Sequence, residues 1–235
     1  MAKLPTSNGD DVARFLKKVA EAPAPTTRPG ERGRLIFAMD ATASRDPSWD
    51  QACQIQGDMF SETSALGGLE VQLLFYRGYR QCQASKWTPR SDQLLRFMEK
   101  VRCLGGATQI ERVLKHAIKE TDARRVNALV FIGDAMEEDI DALCHLAGEL
   151  GLRNVPVFVF HEGGDLIAER AFQQIAKLSG GAYCPFNAGS AQQLRELLSA
   201  VAVYAAGGRQ AMLAYGERKG GATLRLTHQI SGKGR

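Results

Sequence analysis

The sequence predicts a single α/β domain, built as a doubly wound, mostly parallel sheet of Rossmann-like topology with helices on both faces. Short runs that are apolar throughout alternate with longer stretches whose apolar residues recur at helical spacing. Strands that are apolar on both faces are typical of parallel sheets covered by helices on each side. A chain of 235 residues, 44% hydrophobic and 24% charged, has the balance of a globular domain with one sizeable core.

The N-terminal region predicts one short helix and a linker. Residues 10–20 place Phe15, Leu16 and Val19 on one helical face, and a helix this short needs a docking surface to be stable. Pro23, Pro25 and nearby glycines then predict a linker over 21–33. We therefore treat residues 1–33 as an N-terminal helix and proline-rich linker.

The first half of the main domain predicts three strands and three helices. Residues 35–39 form an apolar strand that ends at Asp40, and a helix over 49–65 stops at a pair of glycines. A second strand, 69–76, is followed by Gly78, which allows 81–87 to return as a hairpin partner. Helical spacing then covers 91–103 and, after a Gly-Gly turn, about 108–120.

The second half continues the alternation. A strand over 126–132 ends before Asp134, a helix covers about 138–150, and a strand over 155–160 follows. The pattern then predicts a helix at 166–178, a strand at 182–186 and a closing helix at 191–205. We therefore expect the domain to span 34–206, followed by a basic, glycine-rich tail over 207–235.

The charge is concentrated in that tail. Residues 209–235 contain six basic side chains and one acid, so the tail contributes +5 and the rest −1 to the net charge of +4. Because the rest of the chain is nearly neutral, the basic pI of the whole chain says little about a nucleic-acid partner, and we do not expect one. RNA binding through the tail stays open as an alternative. An alternating stretch at 223–230 could add an edge strand.

Cellular context is inferred from the cysteines and the lack of obvious targeting features. Five scattered cysteines without a CxxC pair favour reduced thiols, and hence a cytoplasmic location. The first 30 residues lack the apolar core of a secretory signal. No uninterrupted apolar run approaches the roughly 18 residues of a membrane span, so we expect no membrane association.

Oxygen-bearing side chains gather where strands of the predicted sheet end. In doubly wound sheets ligands bind beyond the carboxyl ends of strands, where strand order reverses. The segment after the first strand reads Asp-x-Thr-x-Ser, a Gly-Gly-Ala-Thr turn opens a later helix, and an Asp follows the 126–132 strand. The candidate residues are Asp40, Thr42, Ser44, Thr108 and Asp134. Each alone could be a helix cap or turn residue, but their joint placement indicates a site.

Electrostatics favour a divalent cation at this site. Two carboxylates about 5 Å apart at an effective dielectric near 20 repel by roughly 3 kcal/mol. A cation removes that repulsion, and hydroxyl and carboxylate oxygens suit Mg²⁺, with Mn²⁺ as the alternative, rather than zinc. Arg45 follows the motif directly and could relieve part of the repulsion.

The order and spacing of these five residues resemble the metal-ion-dependent adhesion site of von Willebrand factor A domains, over about residues 34–205. The resemblance implies that the hydroxyls of Thr42, Ser44 and Thr108 contact the metal and that Asp40 and Asp134 act largely through water. It also implies that an Asp or Glu of a partner protein completes the coordination. The family's first serine is Thr42 here and its usual glycine after the second Asp is Ala135, and neither change removes an oxygen ligand.

Neighbouring residues allow several interpretations. The acids at 137–141 could extend the metal site, but they more often complement a helix dipole. His161 and Glu162 could line the cleft, although a surface loop is the simpler expectation. Trp49 and Arg45 could frame the docking face, or Trp49 could be buried at the start of a helix.

We therefore expect a non-enzymatic, Mg²⁺-dependent protein-interaction module that binds an acidic side chain within a cytoplasmic multiprotein assembly. The sequence has no GxSxG elbow, no GxGxxG after the first strand and no phosphate-binding P-loop. Two alternatives remain open at this stage. One is a metal-dependent hydrolase or phosphotransferase with Asp40 as nucleophile, and the other is RNA binding through the basic tail.

Overall fold

A computed structural model describes residues 9–23, 31–186 and 191–219, and within them six strands form one sheet in the order β3-β2-β1-β4-β5-β6. All neighbouring strands are parallel except the β2–β3 hairpin at one edge. The sheet confirms the predicted α/β architecture. Its strands are β1 (Gly33–Asp40), β2 (Leu69–Arg77), β3 (Gln81–Ala84), β4 (Ala128–Gly133), β5 (Val157–Glu162) and β6 (Ala182–Phe186).

Helices cover both faces of the sheet and enclose two apolar cores. One core packs α1, α2, α3 and α7 against the sheet, and the other packs α4, α5 and α6 against the opposite face. Central strand β1 is buried along its whole length, as its unbroken apolar pattern predicts. The helices are α1 (Gly9–Glu21), α2 (Asp46–Thr63), α3 (Ser91–Met98), α4 (Ile110–Ala123), α5 (Ile140–Leu152), α6 (Leu166–Leu178) and α7 (Ala191–Lys219).

The N-terminal helix docks on the main body. Phe15 is buried and its ring lies 5.1 Å from that of Phe160 on β5 and 6.0 Å from that of Phe158. Val19 is also fully buried. This packing supplies the tertiary support that so short a helix needs, while residues 24–30 of the predicted linker lie outside the described ranges.

Helix α3 is shorter than its sequence pattern suggests. It ends at Met98, whereas helical spacing continues to Cys103. The carbonyl of Met98 accepts hydrogen bonds from the Trp49 indole, at 3.1 Å, and from the Val101 backbone N–H, at 3.0 Å. The Met98 carbonyl is therefore engaged by a tertiary hydrogen bond at the point where α3 ends. Residues 99–109 form a loop that leads to α4.

Helix α7 extends beyond its predicted end at residue 205, as far as Lys219. Gly208 interrupts its regular geometry with a φ of 69°, and the helix continues because Met212 and Tyr215 are buried against the body. The segment 192–215 is long and apolar enough to cross a membrane by length and composition, but 67% of its most apolar window is buried in the fold. The alternating stretch at 223–230 lies outside the described residues.

None of the five cysteines forms a disulfide within the part of the chain that the structure describes, in agreement with the predicted free thiols. Cys184 is buried in the core, and burial raises the pKa of its thiol to about 12. Cys53 and Cys82 are half-buried, and burial raises the pKa of each thiol to about 11. These thiols are therefore protonated at neutral pH and are poor nucleophiles.

Candidate metal site

The sheet reverses its strand order between β1 and β4, and the candidate residues lie at that point. Strands β1 and β4 are parallel neighbours, with β2 continuing on one side of β1 and β5 on the far side of β4. Asp40 is the last residue of β1, and Asp134 directly follows β4. The carboxyl ends of these strands therefore bring both aspartates to one edge of the sheet, as the sequence predicts.

Asp40 forms the floor of the site. Its side chain is buried, with 1% of the residue exposed, and both carboxylate oxygens are hydrogen-bonded. Oδ1 accepts from the backbone N–H of Thr42 at 2.7 Å, and Oδ2 accepts from the hydroxyl of Tyr76 at 3.1 Å. Tyr76 lies directly beside Asp40 in the β1–β2 register. The two bonds hold the carboxylate in one orientation.

Three further candidates complete a hydrogen-bonded chain above that floor. The hydroxyl of Ser44 donates to Oδ2 of Asp134 at 2.8 Å, although 90 residues separate the two in sequence. The hydroxyl oxygens of Thr42 and Ser44 are 3.4 Å apart. The structure therefore brings four predicted residues together: Asp40, Thr42, Ser44 and Asp134.

Thr108, the fifth candidate, is tied to the loop that follows Asp134 rather than to the other four directly. Its backbone N–H donates to the Glu137 carboxylate at 3.0 Å, and the Glu137 N–H donates back to the Thr108 hydroxyl at 3.0 Å. No hydrogen bond joins Thr108 to the other four candidates within the described ranges. Its hydroxyl oxygen still has a second lone pair for another ligand.

The carboxylate of Asp40 is costly to ionise in this environment. Its pKa is raised from 3.8 to about 6, mainly by burial and to a smaller extent by the nearby Asp134, while hydrogen bonds from Thr42 act in the opposite direction. The positive charge of Arg45 lowers the pKa of Asp40 by a smaller amount. A bound cation offsets such a penalty, because it favours the ionised form of both aspartates.

The acids after Asp134 serve helix ends, as the sequence suggests, but on two different helices. Asp139 caps α5 by accepting the N–H groups of Asp141 and Ala142. Glu138 reaches across to α4 and accepts the N–H groups of Ile110 at 2.7 Å and Glu111 at 2.9 Å. The α4 cap fixes the turn that carries Thr108 against the loop that carries Asp134.

Arg45 does not lie on a docking face, contrary to one sequence expectation. It is 1% exposed and forms a buried ion pair with Glu162 at the end of β5, and the Ser48 hydroxyl also donates to that carboxylate. Within the described residues, Nε and Nη2 of Arg45 are buried without a hydrogen-bond partner. The pair fastens the loop after β1 to β5, directly behind the candidate site.

The expectation of a surface loop at His161 and Glu162 is wrong, since both belong to β5. His161 is 1% exposed, its Nδ1 lies 2.9 Å from the hydroxyl of Tyr183, and its ring packs edge-on against Phe172. Burial lowers the pKa of this imidazole. Trp49 is likewise buried, which settles its role in favour of the core.

The chemistry of the donor set fits a hard divalent cation. The residues contribute carboxylate and hydroxyl oxygens, which are the ligands that Mg²⁺ and Mn²⁺ prefer. Among the described residues no group of three or more His, Cys, Asp or Glu side chains could hold a metal ion, so the donors differ from the Cys and His set typical of structural zinc sites.

One contact of Asp40 and one partner of Arg45 were not anticipated from the sequence. Tyr76 lies in a strand whose apolar pattern gave no sign of a role for its hydroxyl, although its position opposite the last residue of β1 could have been inferred from strand pairing. Glu162 was considered for the cleft, but its pairing with Arg45, 117 residues away, has no local signal.

Comparison with known proteins gives matches by structure alone. No protein-family model and no curated protein matches the chain by sequence. The SpRpn10 VWA domain superposes with a TM-score of 0.57 at 14% identity, over 72% of this chain and 94% of that domain.

Two further similar structures are parts of longer chains. Proximal thread matrix protein 1 from the mussel byssus, with a zinc-occupied MIDAS motif, gives a TM-score of 0.59 at 14% identity, over 73% of this chain and 46% of its own. The D319A mutant of the PilB minor pilin from Streptococcus sanguinis gives 0.56 at 9% identity, over 80% of this chain and 64% of its own. Taken with the strand order and the placement of the motif, these similarities show that the chain adopts the von Willebrand factor A fold.

Proposed function

We propose that this chain is a Mg²⁺-dependent protein-interaction module that captures an acidic side chain of a partner protein. The observation that carries the proposal is the hydrogen-bonded chain of Asp40, Thr42, Ser44 and Asp134 at the switch point of the sheet. The similar mussel protein has a zinc-occupied MIDAS motif, which supports divalent-metal binding by this kind of fold.

The five residues would bind the ion in two different ways. The hydroxyls of Thr42, Ser44 and Thr108 would be direct ligands, while Asp40 and Asp134 would supply negative charge and orient those ligands or bound water. When bound, the ion supplies a positive charge and an open coordination position for an incoming carboxylate. The loops around the site would then select the partner.

We propose a binding role rather than a catalytic one. As a nucleophile, Asp40 would need an accessible oxygen, but it is 1% exposed and both of its oxygens already accept hydrogen bonds. Incubation with acetyl phosphate or a generic phosphoester should leave no acyl-phosphate on Asp40. Trapping of such an intermediate would support the hydrolase or phosphotransferase alternative instead.

We also propose that the module works in the cytoplasm, because none of its five cysteines is paired and reduced thiols persist in that compartment. The RNA-binding alternative depends on the tail, most of which lies beyond the described residues. It predicts affinity that falls steeply with salt and disappears when residues 209–235 are removed.

Calorimetric titration of metal-free protein with MgCl₂ and MnCl₂ tests the metal site. The wild type should bind one equivalent, Ser44→Ala should bind more weakly, and Asp40→Ala should not bind measurably. Ser61→Ala is a matched control, since Ser61 is an exposed serine on α2 whose hydroxyl only bonds the helix backbone. Absence of metal binding by the folded wild type would refute the proposal.

A further inference from the structure

Most of the exposed large apolar side chains surround the candidate metal site. Seven such side chains are exposed among the described residues, and five of them lie at the edge where the parallel strands end. The other two, Leu152 and Leu178, lie at the opposite ends of α5 and α6. The five at the site edge are Tyr79, Leu104, Ile140, Leu166 and Ile167, and Tyr79 is 82% exposed.

Leu104 lies beside the site through direct backbone contacts, and Tyr79 directly follows Gly78, which is bonded to Leu104. The N–H of Leu104 donates to the carbonyl of Ala41, inside the Asp-x-Thr-x-Ser motif, at 3.0 Å. The N–H of Gly78 donates to the Leu104 carbonyl at 3.2 Å. Gly106 touches the same turn so closely that a Cβ there would lie 2.1 Å from the Gly78 oxygen. The β2–β3 turn and the loop before Thr108 therefore form one continuous surface.

Four arginines stand on this surface, and none forms an ion pair with a carboxylate of the described chain. Arg77 donates to the carbonyl of Arg102 at 2.5 Å, and Arg112 donates to the carbonyl of Arg80 at 2.8 Å. Arg102 donates to the carbonyl of Glu99 at 3.1 Å. We define the arginine patch as these four residues with Tyr79 and Leu104.

The opposite side of the site has the opposite charge. Asp139 caps α5, and Asp165 ends the loop after β5 as the N-cap of α6. Glu137 and Glu138 lie between the two sides, because they accept the N–H groups of Thr108 and of the first residues of α4. These acids already accept backbone N–H groups from α4, α5, α6 or Thr108. A negatively charged ligand is therefore repelled on the α5–α6 side and attracted on the side of the arginine patch.

We propose that the arginine patch binds an acidic segment of the partner that contains an apolar side chain. One carboxylate of this segment reaches the metal, further Asp or Glu residues face the unpaired arginines, and the apolar side chain packs on Tyr79 and Leu104. The proposal rests on the proposed metal-dependent capture and adds the composition and direction of the captured segment. Arginine and tyrosine are also the residue types that contribute most often to binding hot spots.

A nucleic acid is the competing ligand for a surface with arginines and an exposed tyrosine. A protein segment fits better because the proposed metal-dependent capture uses a carboxylate of the partner and the patch includes an exposed leucine. The acids across the site would also repel a second phosphate beyond the patch. Nucleic-acid binding is therefore treated as an outcome that contradicts the proposal.

Panning of a random dodecapeptide phage library against the full-length protein in MgCl₂, with elution by EDTA, tests the composition of the segment. Wild-type protein should select peptides with several acids and at least one apolar residue. A triple variant, Arg80→Glu with Arg102→Glu and Arg112→Glu, should still select peptides that EDTA releases. These peptides should lack the additional acidic residues. Arg77 is left unchanged because its guanidinium joins the two loops.

The matched control carries the same charge change on exposed lysines away from the site, Lys86→Glu with Lys119→Glu and Lys177→Glu. A selected peptide, measured by fluorescence polarisation in MgCl₂, should bind the triple arginine variant at least tenfold more weakly and the lysine control within about twofold of wild type. Tyr79→Ala, a surface change that leaves all charges in place, should also weaken binding of this peptide. Equal melting temperatures will show that each variant is folded.

The possible failures are distinguishable. If the wild type yields no EDTA-released peptides, the proposed metal-dependent capture is itself wrong. If it yields peptides without additional acids, or peptides that bind the triple arginine variant equally well, capture stands and the role of the arginine patch is refuted. Tighter, Mg²⁺-independent binding of a labelled single-stranded oligouridine, lost in the triple variant, would assign the patch to nucleic acid.

Discussion

Replacing Asp40 by asparagine should stabilise the metal-free protein at neutral pH while abolishing metal binding. The carboxyl of Asp40 is buried, and its pKa is raised from 3.8 to about 6. The folded state therefore holds this proton more tightly than the unfolded state. Asparagine can still accept the Thr42 N–H through Oδ1, and its amide can donate to the Tyr76 hydroxyl.

The sign and size of the effect follow from proton linkage. Because the folded pKa is raised, the stabilising contribution of protonated Asp40 is complete below about pH 4 and is lost as the pH rises through about 6. A difference of about two pKa units corresponds to about 3 kcal/mol at pH 7. Asp40→Asn removes this titration, so its advantage over wild type should grow between pH 4 and pH 7.

Urea unfolding in EDTA at several pH values measures this advantage directly. Asp50→Asn, on the exposed surface of α2, controls for loss of one carboxylate, so the difference between the two variants isolates the effect of burial. Mg²⁺ should reverse the order once it exceeds its dissociation constant about 1,000-fold, because it then stabilises only the wild type, by about 4.1 kcal/mol, which is more than the advantage of Asp40→Asn. If Asp40→Asn is less stable than wild type in EDTA, with a gap that does not change with pH, the reasoning is refuted.

Three other predictions test the supports of the site. Arg45→Met should lower the free energy of unfolding by about 3 kcal/mol, because it leaves the Glu162 carboxylate without its buried partner. In urea unfolding, the double variant Arg45→Met with Glu162→Gln should recover part of that loss, because it also removes the charge of Glu162. Gly106→Ala should cost about 1–3 kcal/mol, because its Cβ would meet the Gly78 carbonyl, while Gly105→Ala, where a Cβ meets nothing within 4 Å, should change the melting temperature little. Glu138→Ala should cost about 0.5–2 kcal/mol and weaken metal binding in calorimetry, because it removes the cap of α4; unchanged stability would contradict that role.

The architecture could be predicted because its determinants are local. Apolar runs bounded by Gly, Pro or Asp predicted five of the six strands, and the turn at Gly78 predicted β3 as a hairpin partner. The Asp-x-Thr-x-Ser motif after the first strand placed Asp40, Thr42 and Ser44 at the sheet edge. The rule that parallel strands end at one edge was enough to bring Asp134 to Ser44.

The remaining features depend on tertiary contacts that leave no local pattern. Helix α3 ends at Met98 because the distant Trp49 indole uses its last carbonyl, and α7 passes Gly208 because Tyr215 finds a buried position. The expectation that Arg45 lies on an exposed docking face failed for the same reason, because its partner Glu162 lies on the distant strand β5. Side-chain pairing across many residues requires the fold to be known first.

A crystal structure of the protein soaked in MnCl₂, with an anomalous difference map at the manganese edge, examines the site most directly. The account predicts one strong peak bounded by the hydroxyl oxygens of Thr42, Ser44 and Thr108, with Asp40 and Asp134 beside it. A map from well-ordered crystals with no peak there, or with Thr108 still bonded only to Glu137, would contradict it.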